Sequence, residues 1–210
     1  QFRPGVMAKL GLDYESLKTA NPSLIYCSLT GYGQTGPMRN RAGHDINYLA
    51  RAGVAACSGR KETGPCLCGV QIADVASGSN HAVIGILAAV FHRHRTGEGQ
   101  YVDVSMTDGA VAFNALFAAA YLVDGSENCC GEGVLNGGSL YDFYETKDGK
   151  YLSFGGLEPQ FFSAFCEAIG RPDLIPGGVI PSDLPRVKEE VRRVLKTRTR
   201  DEWTAVFAKI

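Results

Sequence analysis

The sequence has little net charge and no cluster of basic residues. Its 21 Lys and Arg residues nearly balance 22 Asp and Glu residues, which gives a formal net charge of −1. No run of Lys and Arg exceeds two residues. Nucleic-acid-binding domains carry a basic patch or stripe that neutralises phosphates. We therefore expect no nucleic-acid partner.

Long apolar runs are also missing. The longest one extends from Ala82 to Phe91 and contains ten residues. A helix that spans a membrane needs about 20 predominantly apolar residues. We therefore expect no membrane span, and the run predicts a buried helix.

The seven cysteines form no zinc-binding pattern, because the sequence contains no pair of CxxC units. Scattered cysteines of this kind are typical of reduced thiols inside cells. We therefore expect no metal site and an intracellular, reducing compartment.

Both ends of the sequence suggest an excerpt of a longer protein. The chain begins at Gln1 without a methionine and ends at Ile210. The spacing of Thr199 and Glu202 is that of a capping box, so the chain stops shortly after a helix has begun. Few natural domains end there, and we expect the whole protein to be longer.

What is present is an alternation of strand and helix patterns, followed by a different arrangement. The alternating part predicts strands at residues 24–29 and 101–105 and helices at 6–20, 78–95 and 108–122. The later part predicts a hairpin, 141–146 with 151–154, and helices at 159–169 and 183–196. Between the two parts, residues 124–138 hold five glycines and almost no periodicity. The fold class is therefore predicted to be α/β, with domain parts at 1–123 and 139–210, a linker at 124–138, and an α+β character for the smaller part.

Gly31, Gly33 and Gly36 form a literal G-x-G-x-x-G sequence after a predicted strand. A dinucleotide fingerprint requires the third glycine to open a helix whose N-terminus holds the pyrophosphate. Here Pro37 follows at once, and residues 38–42 show no helical spacing. The pattern predicts a turn-rich loop and no nicotinamide site.

Three ionisable residues stand at the ends of predicted elements. His44 lies in a loop, Asp74 precedes the helix at 78–95, and Glu158 precedes a proline that opens a helix. A solvated histidine and two helix caps would explain them one by one. Side chains at such positions can also converge on a cleft, where they are candidate acid–base groups.

Six stretches of the chain resemble, in order, the family III CoA-transferase superfamily. They are Phe2-Arg3-Pro4-Gly5, Tyr26 to Pro37, Gly43-His44-Asp45-Ile46-Asn47-Tyr48, Ile72-Ala73-Asp74, Arg95 to Gln100, and Glu158-Pro159-Gln160-Phe161-Phe162. The resemblance covers essentially the whole chain. The third and last stretches are similar to the racemase branch of that superfamily.

The resemblance implies that the first domain is the central part of a Rossmann-like large domain that binds acyl-CoA. It implies that the amino-terminal strand–helix units and the carboxyl-terminal return to this domain lie outside the sequence. It also implies that His44 and Asp74 flank the α-carbon of the substrate and that Glu158 orients His44. The implied substrate-binding residues are Arg3, Lys9, Gly43, Asp45, Ile46, Asn47 and Tyr48. The resemblance leads us to expect an arginine near the CoA phosphates at the position of Lys9, and a lysine there keeps the charge but loses the bidentate fork.

The activity implied is the epimerisation of 2-methyl-branched acyl-CoA thioesters by cofactor-independent 1,1-proton transfer through an enolate. One base on each face of the α-carbon and a stabilised enolate oxygen are what this chemistry requires. The alternative within the superfamily is CoA transfer with Asp74 as the nucleophile, and a third reading is a non-catalytic relative. No cofactor is expected, because coenzyme A is part of the substrate.

The same resemblance implies a homodimer with a role in fatty acid or bile acid metabolism. Its compartment would be the cytoplasm in a bacterium, and the mitochondrion or the peroxisome in a eukaryote.

Overall fold

The structure is a computed structural model that describes residues 1–127 and 129–210, with every side chain except that of Val179. The chain divides into two compact units, Gln1–Ala56 with Pro65–Glu127 and Cys57–Gly64 with Asn128–Ile210. The domain boundaries at 123 and 139 stay a prediction. Within the predicted linker, Asn128 lies outside the described residues.

Both halves of the chain contain helices and strands. The first half contains α1 (Val6–Lys9), α2 (Tyr14–Ala20), β1 (Tyr26–Thr30), α3 (Asp45–Arg51), α4 (Val54–Cys57), β2 (Gly59–Arg60), β3 (Gly64–Pro65), a π-helix (Ile72–Asn80), α5 (His81–Thr96), β4 (Tyr101–Ser105), α6 (Met106–Phe113) and α7 (Ala115–Asp124). The second half contains β5 (Asp142–Glu145), β6 (Tyr151–Phe154), α8 (Pro159–Ala168), two 3₁₀ turns (Pro172–Leu174 and Pro176–Val179), α9 (Leu184–Leu195) and α10 (Arg200–Phe207).

The first unit is built on a parallel pair of strands, which confirms the α/β class. β1 and β4 run in register from Tyr26 opposite Tyr101 to Thr30 opposite Ser105. Parallel neighbours need a long crossover connection, and here it contains the π-helix and α5. Behind the strands lies a small apolar core of buried side chains, namely Leu29, Ala82 and Val104. A second core lies between α3, the π-helix and α6, namely Tyr48, Leu49, Ala52, Ala73 and Ala110.

Three helices predicted for this unit have a different extent or shape in the structure. The helix at 6–20 is two helices, because Gly11 adopts a left-handed φ of 67° between them. The helix at 108–122 is bent by 71° between α6 and α7, where the Asn114 amide donates to the Ala52 carbonyl oxygen. The helix at 78–95 begins earlier, as the π-helix, so Asp74 lies inside its first turn and not ahead of it. The sequence did not predict α3 and α4.

The prediction of a buried helix from Ala82 to Phe91 was wrong for one face of α5. Ala82 and Ala89 are buried, whereas Ile84 is 62% exposed, Leu87 61% and Phe91 64%. A sheet of two strands can cover only one side of a helix, and the other side stays open. Apolar periodicity shows that a surface prefers burial, but it does not show which segment covers it.

The π-helix and α5 together form one apolar helix, Ile72–Thr96, of 25 residues. By length and composition alone it could cross a membrane, as could α6 and α7 if they are taken as one bent span. A single helix of this kind is weak evidence, because the core helices of soluble proteins meet the same criteria. The absence of a membrane span stays a prediction.

The π-helix and α6 approach each other closely at Gly109. A Cβ atom at this position would lie 2.8 Å from the Ser77 carbonyl oxygen, so any larger residue must separate the two helices. We expect Gly109→Ala to lower the free energy of unfolding of the full-length protein by about 1–3 kcal/mol. Urea denaturation measures this, and Gly69→Ala is the control because nothing lies within 4 Å of that position. Equal stability of the two variants would contradict the close approach.

The second unit contains the predicted hairpin and helices. β5 and β6 pair antiparallel, with Asp142 opposite Phe154 and Glu145 opposite Tyr151. The predicted helices at 159–169 and 183–196 are α8 and α9, and α10 begins with the predicted capping box. Large buried side chains fill the core of this unit, among them Tyr144, Phe162, Phe165, Val187, Val191, Leu195 and Trp203. The sequence therefore predicted this unit better than the first one.

Candidate functional site

A cavity of about 760 Å³ lies at the carboxyl edge of the parallel strands in the first unit. Thr30, the last residue of β1, and Met106, which follows β4, both contribute to its wall. Ligands of α/β sheets bind at this edge. His44 and Asp74 line the same cavity, so the structure brings the two predicted acid–base residues of this unit together.

The other predicted residues divide into those that line this cavity and those that do not. Besides His44 and Asp74, the lining contains Arg3, Gly43, Asn47 and Tyr48. The remaining predicted residues do not line it: Lys9, Asp45, Ile46 and, in the second unit, Glu158. Lys9 is exposed in the last turn of α1.

His44 is the residue that precedes α3, and its backbone N–H donates to the side-chain oxygen of Asn47 at 3.0 Å. The loop before it is held by Tyr48, whose hydroxyl donates to the Gly43 carbonyl oxygen at 2.6 Å. A Cβ atom at Gly43 would lie 2.7 Å from the Tyr48 ring, so only glycine fits there. Tyr32 packs edge-on against the same ring, with the ring centroids 5.2 Å apart. The position of the His44 backbone is therefore fixed by its neighbours, while its side chain is exposed.

Asp74 lies in the first turn of the π-helix and is partly buried. Burial raises the pKa of its carboxyl group, the nearby Asp45 carboxylate raises it further, and His44 acts in the opposite direction. A carboxyl group whose pKa is moved towards neutrality is better suited to general acid–base catalysis. π-Helices are rare and are frequently found at functional sites.

Two arginines that line the cavity were not among the site residues predicted from the sequence. Arg39 and Arg41, which belong to the loop before Gly43, line the cavity together with Arg3. A cavity lined by several guanidinium groups attracts anionic ligands. The available signal was two arginines spaced two residues apart, directly before the residues of the predicted substrate site.

The glycine-rich loop is attached to the start of α6. The backbone N–H and the hydroxyl of Thr107 both donate to the Gly31 carbonyl oxygen, at 3.0 and 2.7 Å. The Gln34 N–H donates to the Asp103 carboxylate at 3.0 Å. As predicted, no helix opens at Gly36, and among the described residues the next one along the chain is α3. The loop therefore lacks the helix N-terminus that a dinucleotide site requires.

Glu158 belongs to the second unit and precedes α8, with Pro159 in the first turn of that helix, as predicted. It lines an apolar cavity of about 440 Å³ within this unit. The walls of that cavity include the rings of Phe161, Phe165 and Phe207. Glu158 is thus a carboxylate placed beside a largely apolar surface.

Residues that could hold a metal ion do not come together in the described part of the chain. No three His, Cys, Asp or Glu side chains are grouped there in a way that suits a metal ion. The cysteines are not joined in disulfides.

The chain is similar in sequence to two kinds of enzyme. Alpha-methylacyl-CoA racemase from Homo sapiens is 37% identical over 208 residues, which are 98% of this chain and 54% of that protein. Succinyl-CoA:glutarate CoA-transferase from Mus musculus is 36% identical over 207 residues, 97% of this chain and 47% of that protein. The chain therefore spans about half the length of these curated relatives.

Solved structures match the fold at similar identity. A hypothetical protein from Mycobacterium tuberculosis superposes with a TM-score of 0.80 and 30% identity, over 99% of this chain and 56% of that one. A CAIB/BAIF family protein from Brucella suis gives a TM-score of 0.78 and 31% identity, again over 99% and 56%. The sequence profile of CoA-transferase family III matches residues 1–210. The chain belongs to the CoA-transferase family III.

Proposed function

We propose that the full-length protein is an α-methylacyl-CoA racemase, which interconverts the two epimers of 2-methyl-branched acyl-CoA thioesters. One observation carries the proposal: His44 and Asp74, two groups that can exchange protons, line one cavity at the carboxyl edge of the sheet. The similarity to a racemase over 98% of this chain supports it.

The proposed reaction moves one proton off the α-carbon and returns another to its opposite face. One of the two groups, His44 or Asp74, takes the α-proton, and the electrons of the broken C–H bond move onto the thioester oxygen as an enolate. The other group then donates its proton to the opposite face. A single group would return the proton to the face it came from, so inversion needs two.

Other residues of the proposed site bind or orient the substrate. Arg3 and Lys9 would bind anionic parts of coenzyme A, and Gly43, Asn47 and Tyr48, which line the cavity, would border the acyl-CoA. Glu158 would orient His44 by a hydrogen bond, as the resemblance to the family implies. The arginines that line the cavity favour an anionic ligand.

The proposal extends to the setting of the enzyme. The reaction needs no metal or redox cofactor, because proton transfer alone achieves it and coenzyme A is part of the substrate. The active species would be a homodimer in an intracellular, reducing compartment, with a role in fatty acid or bile acid metabolism.

The second candidate function is CoA transfer between carboxylic acids. A succinyl-CoA:glutarate CoA-transferase is 36% identical to the chain, almost as similar as the racemase. Asp74 would then attack the thioester carbonyl, which gives a mixed anhydride and free CoA, and CoA would attack the Asp74 carbonyl of that anhydride, which releases the first acid and leaves an Asp74–CoA thioester. The carboxylate of the second acid would attack this thioester and form a second anhydride, and the released CoA would attack its acyl carbonyl, which yields the new CoA ester and restores the Asp74 carboxylate. Arg39 and Arg41 could hold the carboxylate of that acid. His44 has no necessary role in this reaction, and its place beside Asp74 favours the racemase.

A test of the proposal starts from a single epimer of a 2-methylacyl-CoA with the full-length protein and no acceptor acid. We expect chiral chromatography to show both epimers, and we expect no new CoA ester after succinate or glutarate is added. Turnover that requires the added acid and yields its CoA ester would reject the racemase and favour the transferase.

A further inference from the structure

Asp45 connects the two residues of the proposed acid–base pair. It is the first residue of α3 and follows His44 directly. Its carboxylate oxygen Oδ1 accepts a hydrogen bond from the backbone N–H of Asp74 at 3.0 Å, although the two residues are 29 positions apart. Asp45 itself does not line the cavity. Its side chain therefore contacts the backbone that carries Asp74 and not the space where a substrate would lie.

The Asp74 N–H requires such a partner from outside its own helix. The first N–H groups of a helix have no acceptor within the helix. Gln71, which precedes the π-helix, makes no capping hydrogen bond with its side chain. Hydrogen bonds to an ionised carboxylate are shorter and stronger than those between neutral groups. Asp45 thus replaces the local cap and joins the start of the π-helix to the start of α3.

Several charged groups act on Asp74 or lie on elements packed around it. The nearby ones are Asp45, which disfavours the ionised form of Asp74, and His44, which favours it. The cavity wall adds Arg3, Arg39, Arg41 and the buried Tyr48. Burial raises the pKa of the Tyr48 phenol, and Tyr32 and Asp74 raise it further. The other elements packed against the π-helix contribute Asp108 on α6, Asp103 on β4 and His81 on α5. Within the described part of the chain, Asp45 is the only one of these groups that accepts a hydrogen bond from the Asp74 backbone N–H.

We propose that Asp45 is a positioning residue that fixes the distance between His44 and Asp74 and places a negative charge beside Asp74. The inference rests on the proposed function, because it gives Asp45 a role in the action of that pair. A displacement of about 1 Å in a reacting group can cost about 10²-fold in rate. The hydrogen bond and the charge are separable, since an asparagine keeps an oxygen acceptor at the same place but carries no charge.

The test compares Asp45→Ala and Asp45→Asn in the full-length enzyme. We expect Asp45→Ala to lower kcat of epimerisation by about 10²-fold with little change in KM, and Asp45→Asn to recover most of that loss. With the epimer whose α-proton Asp74 removes, the acid limb of the kcat/KM profile follows the deprotonation of Asp74. Because the negative charge of Asp45 raises the pKa of Asp74, both variants should move this limb to lower pH.

The matched control is Asp13→Asn, which removes the charge of a carboxylate that caps another helix. Asp13 accepts the Ser16 N–H at 3.1 Å at the start of α2. We expect this variant to keep the kcat and the acid limb of the wild type. A melting temperature measured for each protein separates a loss of folded enzyme from a change in its chemistry, and unfolding in acid would move the acid limb to higher pH, opposite to the expected shift.

Two results would overturn the inference. One is an unchanged kcat and an unchanged acid limb in Asp45→Ala. The other is an equal loss of kcat in both Asp45 variants with the acid limb in place. If the wild type transfers CoA but does not epimerise, the proposed function fails by itself. The same variants are then assayed for transfer, where a shifted acid limb supports the role of Asp45 and an unshifted one rejects it.

Discussion

Replacing His44 with Ala, or Asp74 with Asn, is expected to slow epimerisation by the full-length enzyme about 10²–10⁴-fold in each case. In the proposed reaction each of the two groups serves one face of the α-carbon, so the loss of either one slows the inversion. Both residues line the same cavity, and no described neighbour there offers a second histidine or carboxylate. The measurement is the rate of epimer conversion under saturating substrate.

The pattern across variants separates the two candidate functions. A transferase would lose its activity in Asp74→Asn and keep most of it in His44→Ala. Glu158→Gln is expected to reduce epimerisation less than either, because it would only orient the imidazole. His94→Ala is the control, since His94 lies exposed in the last turn of α5, away from the cavity. Full epimerisation by His44→Ala would contradict the assigned role.

Replacing Asp142 with Ala is expected to lower the free energy of unfolding by about 3–5 kcal/mol. The Asp142 side chain is only 2% exposed and accepts from Arg60, from Lys188 at 2.6 Å and from Arg192 at 3.5 Å. Lys188 is itself only 11% exposed. Without Asp142 its ammonium group would stay buried beside backbone carbonyls alone, whereas the two arginines are about half exposed and can turn to water.

The buried ion pairs of Asp142 also make the stability of the second unit depend on pH in the acid range. Burial alone would raise the pKa of Asp142, but hydrogen bonds from Lys188, the Phe143 N–H and Arg60 hold it below its usual range. The stabilisation is therefore complete above the pKa of an unfolded aspartate and is lost as the pH falls through the lowered pKa. The wild type should lose stability in that acid range, and Asp142→Ala should lose less.

Urea denaturation of the full-length protein at several pH values measures both effects. Asp201→Ala is the matched control, because its ion pair with Arg200 lies on the surface, with Asp201 75% exposed. Surface ion pairs of this kind contribute little. An Asp142→Ala variant as stable as the control would show that the buried cluster does not hold the second unit together.

Local signals in the sequence were sufficient for several elements. The hairpin at Asp148-Gly149, the helix opened by Pro159 and the capping box at Thr199 each depend on neighbouring residues, and all of them are present. The helices that were not predicted carry no such local signal. α3 is only seven residues long and follows a glycine-rich loop, so no periodicity could mark it.

The same distinction applies to the candidate site. The pattern placed His44 and Asp74 at element ends, and the structure brings them to one cavity. The contact between Asp45 and the Asp74 backbone joins residues 29 positions apart, which no local pattern contains. The exposed face of α5 was missed for a related reason, because hydrophobicity describes a surface and not its partner.

The central claim is that His44 and Asp74 serve opposite faces of one α-carbon, and proton exchange with solvent tests it most directly. The full-length enzyme is incubated in D2O with each pure epimer of a 2-methylacyl-CoA, without an acceptor acid, and deuterium is followed by mass spectrometry and NMR. We expect deuterium at the α-position from either epimer, together with conversion to the other. Turnover that depends on an added acid and leaves the α-position without deuterium would contradict the claim.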